Sequence, residues 1–538
     1  MNSKWPLCFF NIAIKSARDD LFSGRRLLLS KAIATKSSTD KIDLEVAVEH
    51  KHLQSPSKLR SSEKIYDVFI VGGGVTGTAL LYTLSAFTDL SRVALCERRH
   101  EFAKVASAAN NNSQTIHCGD IETNYSLLKA KVVKRHADML RNYATKLIPS
   151  GSEKTILRFQ KMALGVGEQE CALIENRFNE FKSLFPRMKL LNKTQIAEVE
   201  PRVAMLNSYT LRPACINAIY IENEYSAVDY HELSKTFVRQ AEAVQNKQVD
   251  TFLNTEVISI HQESETLFTI KTKNEIFKSR FVVVSACGHS LLMAHRMGYG
   301  LQYSCLPVAG SFYFTPPILN GKVYTVQDPK LPFAAVHGDP DVIANGKTRF
   351  GPTALPLPLL ERYNLATVKD FLEVLRLDMS LLSVYWDLFK VSHIRNYILR
   401  NFLFEVPQLS TAIFLKVLQF LKQNMLCTSD TAILFARLFY DARKIIPSLK
   451  LEDLTYAKGF GGVRPQLIDK TQKKLLLGEG KINPGTGIIF NITPSPGGTT
   501  CLGTAETDMK IICDRLGANI DHSLFRKTIL MGEYSTEL

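Results

Sequence analysis

Residues 65–97 read IYDVFIVGGGVTGTALLYTLSAFTDLSRVALCE, and this stretch decides the fold. An apolar strand over 66–71 runs into Gly72-Gly73-Gly74-Val75-Thr76-Gly77. An apolar helix over 79–87 follows, and a second strand over 92–96 ends on the acidic Glu97. These are the parts of a dinucleotide-binding βαβ unit, in order. Gly72 permits the tight turn, Gly74 lets the backbone approach a pyrophosphate, and Gly77 allows close packing of helix on strand. The helix N-terminus offers unpaired N–H groups and a partial positive charge to phosphates. Glu97 follows the last glycine at the spacing, about 20 residues, where a carboxylate accepts hydrogen bonds from ribose hydroxyls. A chance glycine-rich turn is the bland alternative, but strand, helix, second strand and terminal acid together predict binding of FAD or NAD(P).

Working outward, the 538 residues exceed one compact core, so two domains, or a discontinuous one with a large insertion, are expected. The composition, 45% hydrophobic and 22% charged, is that of a soluble globular protein. No apolar run reaches about 18 residues, which argues against a transmembrane helix and leaves a membrane role peripheral. The ten cysteines are scattered with no CxxC pair and no zinc-ligand spacing, so reduced packing cysteines and no metal are expected. Residues 1–60 read as leader and linker. Seven basic residues against Asp19 and Asp20 in the first 39, interleaved with Leu27-Leu28-Leu29, suggest a mitochondrial transit peptide, with a disordered basic tail as the alternative. Eleven basic and six acidic side chains over 1–60 account for about +5 of the net charge of +14. The remainder is dispersed without an RNA-binding motif, so no nucleic-acid partner is expected; acidic small substrates or an anionic membrane surface fit better.

The chain returns to the cofactor twice. Asp229 is placed to cap a helix over 230–245, strands over 257–261, 267–271 and 275–278 alternate as a meander, and an apolar strand over 281–286 closes on Cys287-Gly288. That order favours FAD, because a simple NAD dehydrogenase continues with further βα units. Residues 491–507, NITPSPGGTTCLGTAET, form a Pro- and Gly-rich loop with a helix starting at Thr499. A helix N-terminus beside the flavin N1 and O2 would stabilise negative charge there by about 0.3 to 2 kcal/mol. The expected cofactor-facing positions are Gly72, Gly74, Gly77, Glu97, Ser113, Gln114, Val257, Gly288, Ser495, Gly497, Gly498 and Thr499.

Eight segments, GGGVTG with Glu97, NNSQTIHCGDIETNY (111–125), YSAVDY (225–230), LPVAGSFYF (306–314), HGDP (337–340), TRFGPTA (348–354), GFGGVRPQ (459–466) and TPSPGGTTCL (493–502), resemble the signature blocks of malate:quinone oxidoreductase in the family's order. The resemblance covers about residues 64–510. It implies an FAD-dependent, peripheral membrane enzyme that oxidises (S)-malate to oxaloacetate and reduces a quinone; with the leader, it implies a mitochondrial, inner-membrane-associated form.

Oxidising a 2-hydroxy acid needs a base for the hydroxyl proton, a hydride acceptor facing C2, and cations for the carboxylates. Arg464, held by the following Pro465, is a natural bidentate partner of a carboxylate; the alternative is a surface ion pair. The resemblance puts His337 of the HGDP block at the substrate as base, and an imidazole suits that task. His117 is the second candidate. Gln114 and Thr115 are expected at the flavin edge or a substrate carboxylate. Arg349 is a candidate for the second carboxylate, with a structural salt bridge as its alternative. Leucine-rich basic helices over 359–450 read as the core of a helical subdomain, or as a face lying on a bilayer.

The expected architecture is α/β: a discontinuous Rossmann-like FAD-binding domain (61–130, 225–300 and 455–538) with an inserted mixed α/β substrate domain (131–224 and 301–454) that contains the helical segment. An FAD-dependent 2-hydroxyglutarate dehydrogenase is the nearest alternative, since one methylene discriminates by only about 1 to 3 kcal/mol. An FAD-containing RNA-acting or non-catalytic binding protein is the alternative of a different class.

Overall fold

Strands β1 (Arg60–Val71) and β2 (Arg92–Cys96) flank helix α1 (Val75–Phe87) in a computed structural model. The structure describes residues 60–147, 155–327, 336–353, 355–376, 381, 441–476, 478–494 and 496–531. Residues 1–59 of the expected leader and linker (1–60), most of the segment 359–450 expected as helical, and Ser495 lie outside the described residues.

β1 pairs in parallel with β2, Val68 opposite Val93, and on its other side with Glu275–Val284, Phe69 opposite Val282. The first sheet runs Gly480–Ile482, Ile488–Ile492, Glu275–Val284, β1, β2, Gln248–Phe252, with the Val257–Ser264 and Leu267–Thr272 meander attached through Glu275–Val284. The segments expected as two strands, 275–278 and 281–286, are one strand, because β1 offers backbone partners along its length. Val68, Phe69 and Ile70 are fully buried, as a central parallel strand covered on both faces requires. α1 buries nearly every residue, packed among Tyr230–Glu242, Leu127–Leu147 and Cys501–Leu516. That explains why it is apolar all round rather than striped.

The second sheet runs Thr455–Tyr456, Tyr313–Thr315, Thr348–Gly351, His337–Pro340, Lys322–Thr325, Ile156–Val166, Ile216–Val228, Lys189–Asn192. A third, small sheet pairs Tyr303–Ala309 with Val463–Asp469 along their whole lengths, so segments 301–454 and 455–538 contribute strands to one sheet. Two of the expected domain boundaries fall inside elements: 130/131 lies in helix Leu127–Leu147, whose Ala137, Leu140 and Tyr143 join the core around α1, and 224/225 lies in strand Ile216–Val228. Among the described residues no helix is long and apolar enough to cross a membrane. The eight described cysteines are free thiols, six of them buried.

Candidate active site

At the carboxyl ends of β1 and β2 the chain opens into a cleft of about 670 Å³, within the range of cofactor sites. The glycine turn forms its floor. Gly72 has φ +111°, and a Cβ there would meet the Ser285 carbonyl at 2.5 Å. Gly77 packs so tightly that a Cβ would lie 2.0 Å from the Gly72 oxygen. Gly74 differs: its Cβ position meets only Ser107 Oγ, at 3.4 Å, so the space beside the α1 N-terminus is open. Ser107 Oγ accepts from the Val75 N–H at 3.0 Å; a serine 32 residues downstream caps this helix, and no local spacing signals it.

Glu97 lines the cleft, with Oε2 accepting from Gly73 N–H at 2.8 Å and Oε1 from Arg99 N–H at 2.9 Å. The carboxylate therefore also braces the turn it faces. Ser113, Val257, Gly497 and Gly498 line the same cleft. Gly498 is needed because a Cβ would press on the Tyr230 ring at 2.7 Å. Gly288 opens the helix Gly288–Arg296 one residue behind the lining Cys287. Thr499 is fully buried behind the wall; its hydroxyl accepts from the His117 N–H at 3.0 Å.

Thr115, His117 and Arg464 line the cleft with these groups. His117 Nδ1 lies 2.8 Å from Glu122 Oε1, and Glu122 Oε2 accepts from Gly119 N–H at 2.8 Å. Burial opposes ionisation of Glu122, but hydrogen bonding and charge from His117 hold its carboxyl below the usual range. Glu122 lies five residues from His117 in the same block, but that spacing alone does not show that the two side chains meet.

His337, Arg349 and Gln114 are brought together with Thr115, but none of the three lines the cleft. The reason is a buried charge cluster. Asp339 Oδ2 lies 2.8 Å from Lys322 Nζ and 3.1 Å from Arg349, whose guanidinium also meets Asp341 at 3.1 Å and donates to the Ser113 carbonyl at 2.8 Å. Arg349 thus fills the structural salt-bridge role. Burial alone would raise the Asp339 carboxyl, but Arg349, Lys322 and His337 outweigh it and hold it far below the carboxylate range. Gln114, at φ +51°, spends its side chain on the Ala109 carbonyl and Val342 N–H. His337 is 1% exposed and stacks on Tyr324, whose hydroxyl bonds Thr115 Oγ1 at 3.0 Å.

A second buried cluster puts Lys161 Nζ 2.6 Å from both Asp120 and Glu224, and Arg141 2.8 Å from Glu224. Burial again opposes ionisation, yet Arg141 and Lys161 hold Glu224 at about 2. Cys118, Asp120 and Glu224 are close enough to ligate a metal, but the lysine ammonium bridges the two carboxylates and Arg141 donates to Cys118 Sγ.

A helix N-terminus with open space beside Gly74, a strand-end carboxylate and a cleft of this volume fit FAD. Fold and site define an FAD-dependent oxidoreductase: the FAD dependent oxidoreductase family matches residues 67–507. The fold is that of the FAD-bound L-alpha-glycerophosphate oxidase from Mycoplasma pneumoniae (TM-score 0.54, 20% identity, 85% of this chain and 96% of that one). It is also that of the L-amino acid deaminase from Proteus myxofaciens (TM-score 0.56, 13% identity, 85% and 92%). A probable malate:quinone oxidoreductase from Campylobacter jejuni is 45% identical over 475 residues, 87% of this chain and 100% of the relative. The malate:quinone oxidoreductase of Helicobacter pylori is 43% identical over 467 residues, 86% and 98%. The chain belongs to the malate:quinone oxidoreductase family, and its cofactor is FAD.

Proposed function

We propose that the protein oxidises (S)-malate to oxaloacetate and passes the electrons to a membrane quinone. The observation that carries this reading is that His117, paired with Glu122, and Arg464 line one cleft with Gly72 and Gly74. FAD, when bound, supplies the two-electron acceptor. Arg464 binds a malate carboxylate through its forked N–H groups, which a lysine cannot reproduce. His117 takes the hydroxyl proton, and a positioned base of this kind is worth about 10²- to 10⁴-fold. His337 and Arg349 support the 112–115 wall from behind instead of meeting malate. Gly72, Gly74, Glu97, Val257, Gly497 and Gly498 cradle the cofactor, and Gly77 holds the helix close behind the turn. The first sheet carries the FAD-binding domain and the second the substrate side.

Anaerobic bleaching of the bound flavin tests the reading. Malate should bleach it well ahead of 2-hydroxyglutarate, and His117→Ala should slow bleaching by about 10²-fold or more. Equal bleaching by both acids would overturn the substrate, and wild-type bleaching in His117→Ala would overturn the base.

The reading extends to peripheral contact with a membrane surface and to mitochondrial targeting by residues 1–60, supported by the basic leader alone, since the relatives above are bacterial. A reporter fused to residues 1–60 should enter mitochondria; a cytosolic reporter would refute the targeting.

A further inference from the structure

We propose that Glu122 is the positioning residue that makes His117 a base, by fixing its tautomer and ring orientation; this rests on the assignment of His117 above. A neutral imidazole carries one proton, and only the unprotonated nitrogen can accept another. With Glu122 Oε1 at 2.8 Å from Nδ1, the ring proton resides on Nδ1 and is donated to the carboxylate, which leaves Nε2 as the acceptor. A carboxylate accepts and does not donate, so the opposite tautomer would set two acceptors against each other.

The carboxylate is itself immobilised. Its second oxygen accepts from Gly119 N–H at 2.8 Å, and the side chain is 6% exposed. Gly119 takes φ +88° with its Cβ position 2.7 Å from Ala130 Cα, so another residue there would shift that N–H away from Glu122. Arg177 secures the rest of the turn by donating to the carbonyls of Gly119 at 3.0 Å, Asp120 at 3.4 Å and Tyr125 at 3.0 Å. The guanidinium lies on the Phe181 ring, 3.8 Å from its centroid. From the other side, Thr499 Oγ1 holds the His117 main-chain N–H. The imidazole is therefore fixed at ring and backbone by groups from separate elements, as a group that must meet a reacting hydroxyl in one orientation requires.

The test uses the holoenzyme with Glu122→Gln and Glu122→Asp. A glutamine keeps the shape but can donate as well as accept, so it no longer enforces one tautomer. In Glu122→Gln the limiting rate of anaerobic flavin reduction by malate should fall by about 10²-fold or more. Half-saturating malate should stay within about threefold and FAD content should be unchanged. Side-chain ¹⁵N spectra read the tautomer independently of turnover: His117 should carry its proton on Nδ1 in the wild type and lose that preference in Glu122→Gln. Glu122→Asp, one methylene shorter, should recover part of the rate, and serves if the glutamine variant fails to fold. A Glu122→Gln enzyme that reduces flavin at the wild-type rate while His117→Ala is slow would overturn the positioning role alone. Wild-type reduction in His117→Ala would overturn both this proposal and the base assignment.

Discussion

The imidazole of His337 lies flat on the ring of Tyr324, with centroids 4.3 Å apart and planes 2° from parallel. Tyr324 in turn bonds Thr115, a residue of the cleft wall, so His337 stands two side chains from the cleft. His337→Phe, which keeps a flat ring on Tyr324, should change flavin reduction by malate less than about tenfold. His337→Ala should instead cost about 3 kcal/mol of stability, as the loss of a buried aromatic does. Denaturant unfolding and stopped-flow reduction check the pair. A reduction rate two orders of magnitude lower at unchanged stability would return the base to His337.

The two glycines of the turn should fail differently. Gly77→Ala drives a Cβ into the Gly72 carbonyl and should lower the melting temperature of the protein whether or not FAD is present. Gly74→Ala meets nothing closer than 3.4 Å, so the fold should survive. Its methyl group would occupy the approach to the helix N-terminus, and FAD should be lost on dialysis. Flavin absorbance after dialysis, with melting curves of the apoprotein, separates the two.

Arg464→Lys keeps the charge and loses the fork. Both the affinity for malate and the rate of flavin reduction should fall, while reoxidation of chemically reduced enzyme by quinone should be nearly normal, since no substrate carboxylate is present. Unchanged malate dependence would show that another cation binds the acid.

His136, on helix Leu127–Leu147, gives the stability a pH dependence. Burial, aided by the Arg135 charge, pushes its imidazole down from an ordinary 6.5 to about 4. A depressed value means that the unfolded chain binds the proton more readily. The contribution is fully present above about pH 6.5 and is lost as the pH falls toward 4, at no more than about 1.4 kcal/mol per unit. His136→Gln should flatten that slope in urea unfolding measured across the window. An unchanged slope would assign the acid sensitivity elsewhere.

The βαβ unit was legible because its information is local. Glycines at 72, 74 and 77 and an acid at 97 are demanded by backbone geometry within one short segment, and the structure keeps each where the spacing put it. Asp229 is legible for the same reason: its side chain accepts from the N–H groups of His231 and Glu232, two and three residues on. The continuous strand Glu275–Val284 was less so, since only its partner β1 decides where it ends. Glu122 and Ser107 carry no local signature.

The order of the cofactor-facing segments and the residue types an acid-oxidising site needs were therefore determined by the sequence alone, because turns, caps and strand periods are properties of neighbouring residues. Which of the candidate histidines and arginines, His117 or His337 and Arg464 or Arg349, face the cleft was decided only by tertiary structure. Arg349 and His337 stand on adjacent strands whose register turns both toward Asp339, and a buried carboxylate must be matched by cations wherever the fold puts it. His117 and Arg464 lie on separate segments that meet at the ends of the sheets. No spacing along the chain encodes that meeting, because it depends on how separate sheets and loops are arranged in three dimensions.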